Sequence, residues 1–243
     1  MAIFTLRSDF LGEFQRHQGL LGLAREHLSV GPMAADQLPK IIEGPAKICS
    51  IELEDGLKEA MVSDSEGQDS LPLLAFTLRE LYERCYENKQ CVEDKHFEVN
   101  VYRKKLGGLS GAVARAADAA YTAVQLSTDQ EQDLRRALVS LVRINEEGQF
   151  TRQPALWSDL PASVHGVLEQ FVKARLLRSL GEGKEKLLEV SHEALFQSWR
   201  RLKVWLGEDR EFLLWRKRFQ EALQEWLRTG RNPGALLAGP ALN

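Results

Sequence analysis

A glycine-containing turn between two short apolar segments restricts the fold of this chain more than any other feature. The turn, Gly181-Glu182-Gly183-Lys184, separates residues 176–180 from residues 186–190, which is the pattern of a β-hairpin. Helical patterns precede it at about 107–124, 128–142 and 161–174. Three helices followed by a hairpin is the order of a winged helix, so we predict a winged-helix domain over residues 100–206.

These helices are predicted from apolar side chains that recur every three or four residues. Thr128 and Glu131 have the spacing of a capping box, so we expect a helix to start there. After the hairpin, two long segments are also amphipathic. Their apolar stripes are Leu195, Trp199, Leu202 and Leu206 in the first, and Phe212, Trp215, Phe219, Leu223 and Trp226 in the second.

The chain before residue 100 is predicted to mix short strands with helices. Residues 1–7 and 26–30 are typical of strands, and the first of these ends in Arg7. A later helix has Pro72 in its first turn, where the missing N–H costs nothing. Residues 86–97 are polar and indicate a loop. The remaining helical patterns lie at about 9–26, 34–48 and 54–64.

Composition excludes several classes of protein. The 243 residues are 44% hydrophobic and 28% charged, with a net charge of -3, which is ordinary for a soluble globular protein and gives no overall attraction to nucleic acid or anionic membrane. Three cysteines argue against a disulfide framework and favour a reducing compartment. Because no apolar run reaches bilayer length and no signal peptide is evident, we expect a cytoplasmic protein.

His192 is the most informative residue for function. It follows a β-pattern that ends at Val190, and Ser191 can cap, so we expect His192 in the first turn of a long helix. A helix N-terminus attracts anions such as phosphate, and a histidine there can donate a hydrogen bond. Taken alone, such a histidine is more typical of capping or packing. Arg7 ends a predicted parallel strand, where ligands gather in open α/β sheets.

Other candidate chemistries fail on spacing or charge. The 181–184 turn lacks the glycine spacing of a phosphate loop, and Glu185 stands where Ser or Thr would follow the lysine. The helix before the hairpin has Lys173 as its one lysine, which is too little positive charge for DNA. Cys85, Cys91 and His96 do not have a recognised zinc spacing.

Several blocks, in this order, resemble the STAND class of signal-transduction NTPases, in the bacterial branch commonly fused to WD-repeat arrays. Residues 5–12 resemble the sensor-1 strand with its arginine, and residues 71–74 resemble the proline motif. His192-Glu193-Ala194-Leu195, with Ser198 and Trp199, resembles the winged-helix histidine block. The other matching blocks are residues 30–33, 42–46, 102–111 and 209–216.

The resemblance implies a role for three residues. Arg7 would sense the γ-phosphate of ATP, Pro72 would pack on the adenine, and His192 would reach the β-phosphate of ADP. No catalytic or metal-binding residue is implied. Exchange of ADP for ATP would then release the winged helix and allow a homo-oligomer to form.

The family's Walker A loop and Walker B acids, which would hold the phosphates and Mg²⁺, should precede Arg7. We therefore expect this chain alone neither to hydrolyse ATP nor to bind it tightly. Its expected partners are an N-terminal Walker-containing segment and a C-terminal repeat domain. Neither a membrane nor DNA is an expected partner.

Together these features predict a mainly α fold with four parts. They are a remnant of an α/β nucleotide-binding domain at 1–60, a small helical subdomain at 61–95, the winged-helix domain at 100–206 and a helical extension at 207–243. The predicted function is the regulatory, nucleotide-switch portion of a STAND-type ATPase. A nucleotide-independent adaptor and a DNA-binding winged-helix regulator are the alternatives.

Overall fold

The computed structural model describes residues 4–6, 11–17, 19, 26–31, 33–65, 70–87 and 95–231. The chain divides into two compact units, Met1–Met33 and Ala34–Asn243. It is mainly helical and contains only small sheets in its described part, which confirms the predicted fold class at this level. The domain boundaries near residues 60, 95 and 206 stay predictions.

The first unit contains helix α1 (Leu11–Arg16), and the rings of Phe4 and Phe14 lie 5.4 Å apart. The strand prediction for residues 26–30 is wrong, because these residues have no regular secondary structure. Residues 4–6 of the other predicted strand are also irregular. A strand is stable only when its backbone groups pair with a neighbour, and the described residues of this unit include no such neighbour.

The second unit begins with helices and a two-stranded parallel sheet. Strand β1 (Glu52–Leu53) pairs with β2 (His96–Phe97). The prediction of a loop over residues 86–97 is therefore wrong at its C-terminal end, where the backbone hydrogen-bonds to β1. The helices of this part are α2 (Leu38–Ile48), α3 (Leu57–Asp64) and α4 (Ser70–Glu87).

A π-helical segment, α5 (Val101–Leu106), leads into α6 (Gly108–Thr122). The buried Tyr102 donates a hydrogen bond from its hydroxyl to Asp64 Oδ2 at 2.6 Å. Gly108 has φ +74°, and a Cβ there would lie 2.8 Å from Asp64 Oδ2. Glycine is therefore favoured at position 108, both because the backbone is left-handed and because a side chain there would crowd the Asp64 carboxylate.

Tyr102 should make the fold sensitive to alkaline pH. Burial, and then the hydrogen bond to Asp64, raise the pKa of the Tyr102 phenol above its ordinary value. A raised pKa in the folded state gives a contribution to stability that is complete below about pH 10 and is lost as the pH rises further. We expect the free energy of unfolding to fall more steeply above about pH 10 in the unsubstituted chain than in Tyr102→Phe.

Urea unfolding at a series of alkaline pH values measures this difference. Tyr82→Phe is the control, because Tyr82 is exposed. An unsubstituted chain that lost stability no faster than Tyr102→Phe would contradict the assignment.

Residues 128–190 form two α-helices, a two-stranded hairpin and a three-stranded antiparallel sheet. The central strand of this sheet is Leu187–Val190, which lies between Ala155–Leu156 and Leu177–Leu180. The hairpin predicted around residues 181–184 is confirmed, and Gly181 and Gly183 in its turn have φ values of +73° and +61°. The elements are α7 (Thr128–Ser140), β3 (Val142–Ile144), β4 (Phe150–Arg152), β5 (Ala155–Leu156), α8 (His165–Lys173), β6 (Leu177–Leu180) and β7 (Leu187–Val190).

Two local predictions in this region are wrong. The cap of α7 is Ser127 with Gln130, one residue earlier than Thr128 with Glu131, because Ser127 is extended and Glu131 instead forms an ion pair with Arg201 at 2.8 Å. Leu141 and Val142 were expected to continue the helix. The helix ends at Ser140, and β3 and β4 form an additional hairpin.

The chain after β7 forms α9 (Ala194–Ser198), α10 (Arg200–Glu208) and α11 (Arg210–Arg228). The first predicted apolar stripe is confirmed as core, since Leu195, Trp199, Leu202 and Leu206 are all buried. The second stripe is different. Although an apolar stripe is typical of a core-facing surface, Phe212, Trp215, Phe219 and Leu223 are exposed.

Candidate functional site

The candidate site is built on the loop that joins β7 to α9. Val190 is buried, and the backbone N–H of Ser191 donates to the carbonyl of Leu176 at 2.8 Å. The carbonyl of His192 then accepts a hydrogen bond from the N–H of Leu195 at 3.0 Å. The sheet and this turn together fix the backbone on both sides of His192.

The position of His192 differs from the prediction in one respect. It was expected in the first turn of a long helix, but it lies two residues before α9, which has only five residues. The helix is short because Trp199 adopts an extended conformation, with φ -85° and ψ 105°, between α9 and α10. Because five residues align few peptide dipoles, the strong anion attraction expected of a long helix N-terminus is not present at His192.

The imidazole of His192 packs against α4. Its ring centroid lies 5.4 Å from that of Phe76, with an interplanar angle of 63°, in an edge-to-face arrangement. Phe76 is 6% exposed, while the His192 residue as a whole is only partly buried. The contact joins the β7–α9 loop to α4 through two residues that lie 116 positions apart in the chain.

Pro72 lies one turn before Phe76 on the same helix. Positions four residues apart share a face of an α-helix, so the structure brings the His192 loop to the face that begins at Pro72. Pro72 is exposed, which leaves its ring accessible to a flat apolar group. Arg7 lies outside the described residues.

A group of charged side chains holds the His192 loop in place. Arg152 donates from Nη1 to the carbonyl of Ser191 at 3.3 Å, and its Nε lies 3.6 Å from Glu193 Oε1 and 3.8 Å from Glu189 Oε1. Glu189 also accepts two hydrogen bonds from Arg178, at 2.9 and 2.6 Å. Two arginines and two glutamates balance in charge, so the group fixes the loop without adding net charge beside His192.

Sequence reasoning missed these charged residues. One signal was available, because Arg178 and Glu189 are register partners on β6 and β7, and opposite charges across an antiparallel pair stabilise it. Arg152 could not have been found in the same way. It lies on β4, a strand of the hairpin that the sequence did not predict.

The arrangement combines a hydrogen-bonding group with apolar surface. His192 can donate or accept a hydrogen bond near neutral pH, while Phe76 and Pro72 supply apolar surface. No group of three or more potential metal ligands is found among the described residues.

These observations define a mainly helical protein in which a histidine-bearing loop packs on a proline-bearing helix. The family model of Novel STAND NTPase 1 matches residues 1–234, so the chain belongs to the Novel STAND NTPase 1 family. Comparison with curated proteins and with solved structures found no match to either. Within the described part of the chain, no helix has both the length and the apolar character to cross a bilayer.

Proposed function

We propose that this chain is the regulatory, nucleotide-switch portion of a STAND-type signalling ATPase. Residues 100–206 act as a winged helix that closes over ADP or ATP, with His192 as the contact to the nucleotide. The observation that carries the proposal is the packing of His192 on Phe76. Phe76 lies on the helix whose first turn contains Pro72, and the chain belongs to the Novel STAND NTPase 1 family.

The order of elements supports a winged helix. Helices α6, α7 and α8 precede the β6–β7 hairpin, and β5 completes an antiparallel sheet on the other edge of β7. In this proposal the hairpin is the wing, and the loop that leaves it carries His192. Because Arg152 anchors the same loop through the Ser191 carbonyl, movement of the winged helix would move His192 as one body with it.

The residues at this site fit a nucleoside diphosphate. The exposed Pro72 offers a flat apolar surface to a base, and His192 offers a hydrogen bond or a positive charge to a phosphate. Bound nucleotide, with Mg²⁺ held by a Walker-containing segment, would supply the negative charge that favours the closed arrangement. His192 binds in the ADP state and releases when ATP replaces ADP, which frees the winged helix for assembly into a homo-oligomer.

The proposal predicts that His192→Ala weakens retention of ADP. For this test the chain is fused behind a segment with Walker A and Walker B motifs from a member of the same family. Loss of a hydrogen bond to a charged phosphate should raise the ADP dissociation rate by at least about tenfold. Stopped-flow release of a fluorescent ADP analogue measures this rate.

His165→Ala is the matched control. His165 also packs on an aromatic ring, that of Trp157 at 4.5 Å, and its Nε2 lies 3.1 Å from the carbonyl oxygen of Leu160, but it lies on α8. We expect its ADP release to match that of the unsubstituted fusion. If His192→Ala retained ADP as long as His165→Ala does, the switch assignment would be wrong.

A nucleotide-independent adaptor is the second candidate, favoured by the exposed aromatic side chains on α11. It predicts that His192→Ala leaves unchanged the shift in melting temperature that ADP causes in the fusion. A DNA-binding regulator has less support, because the described α8 contains Lys173 and acidic Glu169 but no arginine.

A further inference from the structure

Helix α11 presents an apolar surface to solvent along most of its length. Phe212, Trp215, Phe219 and Leu223 are 52%, 38%, 40% and 38% exposed; we call these four side chains the aromatic face. Phe212 stacks on Trp215 with ring centroids 6.1 Å apart, and Trp215 on Phe219 at 5.3 Å. The three rings therefore form one continuous surface.

The opposite side of α11 is fixed to the rest of the unit. Leu213 is buried at 1% exposure. Arg210 donates to the carbonyl of Gly148 at 2.9 Å, and Lys217 donates to that of Asn145 at 3.2 Å. At the edge of the aromatic face, Arg216 lies 5.9 Å from the centroid of the Phe212 ring and donates to the carbonyl of Val142. These contacts prevent α11 from rotating to bury the aromatic face within its own chain.

The apolar positions along this side of α11, which extend beyond the four of the aromatic face itself, have the spacing of a helix pair. Phe212, Trp215, Phe219, Ala222 and Trp226 follow steps of three, four, three and four residues, which is the heptad spacing of two packed helices. A packed helix of similar length is therefore the occupant that fits this surface best.

The charged residues beside the aromatic face would lie opposite residues of the other sign in a pair of identical helices. Glu211, Arg218 and Glu225 lie along one edge, seven residues apart, and so share one side of the helix. No ion pair among the described residues includes Arg218, whose Nε makes a long hydrogen bond of 3.4 Å to the carbonyl of Leu214. Glu225 pairs with Arg228 of its own helix at 2.8 Å, but this pair is exposed and contributes little to stability, so the Glu225 carboxylate can also accept from a second cation. In an antiparallel pair with its two-fold axis near residues 221 and 222, Arg218 of each copy lies opposite Glu225 of the other.

We propose that the aromatic face of α11 binds a second copy of this chain, with the two helices antiparallel and Arg218 paired to Glu225 across the interface. The pairing uses no nucleotide and does not depend on His192. It is therefore a constitutive contact, separate from the nucleotide-controlled assembly proposed above.

Sedimentation equilibrium of the full chain, from about 1 to 300 μM, measures the dimer dissociation constant. We expect a monomer–dimer equilibrium in the unsubstituted chain. Phe219→Glu places a charge at the centre of the interface and should raise the dissociation constant at least about tenfold. Val204→Glu is the matched control, because Val204 is an exposed apolar residue on α10, at 50% exposure.

A charge exchange tests the orientation of the pair. In the proposed dimer, Arg218→Glu or Glu225→Arg alone places like charges opposite one another at both symmetry-related contacts, so each should weaken the dimer. The double variant has opposite charges at both contacts again and should restore the dimer. Circular dichroism confirms that the variants remain folded. A chain that is monomeric over the whole range, a dimer that Phe219→Glu leaves intact, or a double variant that fails to recover would each overturn the proposal.

Discussion

Trp199→Ala should destabilise the folded chain by about 3–5 kcal/mol, the range for loss of a large buried aromatic. Trp199 is 1% exposed, and its ring centroid lies 5.3 Å from that of Phe171 and 6.0 Å from that of Trp205. Its indole N–H also donates to Asp118 at 2.8 Å. The substitution leaves a cavity between α8 and α10 and removes the hydrogen bond to α6.

Urea or thermal unfolding followed by circular dichroism measures this loss. Tyr82→Ala is the control, because Tyr82 is 43% exposed, lies outside the aromatic face of α11, and loses less buried surface on truncation. We expect the control to lose less than about 1.5 kcal/mol. Similar losses in the two variants would show that Trp199 does not hold the helices together as described.

Gly111→Ala should destabilise the chain by about 2–4 kcal/mol, as overpacking against rigid backbone does. A Cβ at Gly111 would lie 3.1 Å from the carbonyl carbon of Leu106 and closer still to its oxygen. Since Leu106 ends the π-helical segment α5, the added methyl group could be accommodated only by moving the backbone that positions Tyr102.

The expected change in stability at Gly111 is opposite in direction to that of an ordinary helical glycine. Alanine normally stabilises a helix relative to glycine by about 0.5–1 kcal/mol. We therefore expect Gly166→Ala in α8, where a Cβ would have nothing within 4 Å, to be neutral or stabilising. Unfolding curves of the two variants measured side by side provide the comparison, and a Gly111→Ala protein as stable as Gly166→Ala would disprove the close approach.

The glycine and the tryptophan illustrate what periodicity can and cannot predict. Apolar spacing correctly predicted that Trp199 would be buried, because burial depends on a repeat that is visible in the sequence. It could not predict that Trp199 would break the helix between α9 and α10. Nor could it find the approach of Leu106 to Gly111, since that depends on a π-helical segment with no pattern of its own.

The candidate site was also predicted from the sequence only in part. His192 and Pro72 were both selected from the sequence, and the structure places the His192 loop on the helix that carries Pro72. The role of His192 as a ligand for phosphate stays a prediction. Arg152, which holds the loop, was not found because its strand β4 was not predicted.

The sequence by itself determined the helical fold class, the β6–β7 hairpin and most of the core of residues 100–206. Each of these follows from local spacing or from glycines in a turn, which act over a few residues. Only the tertiary structure decided that α9 is short and that Arg152 and Glu189 support the His192 loop. It also decided that the aromatic face of α11 is exposed: amphipathic spacing shows that a helix has an apolar side, but which side contacts the core depends on distant residues.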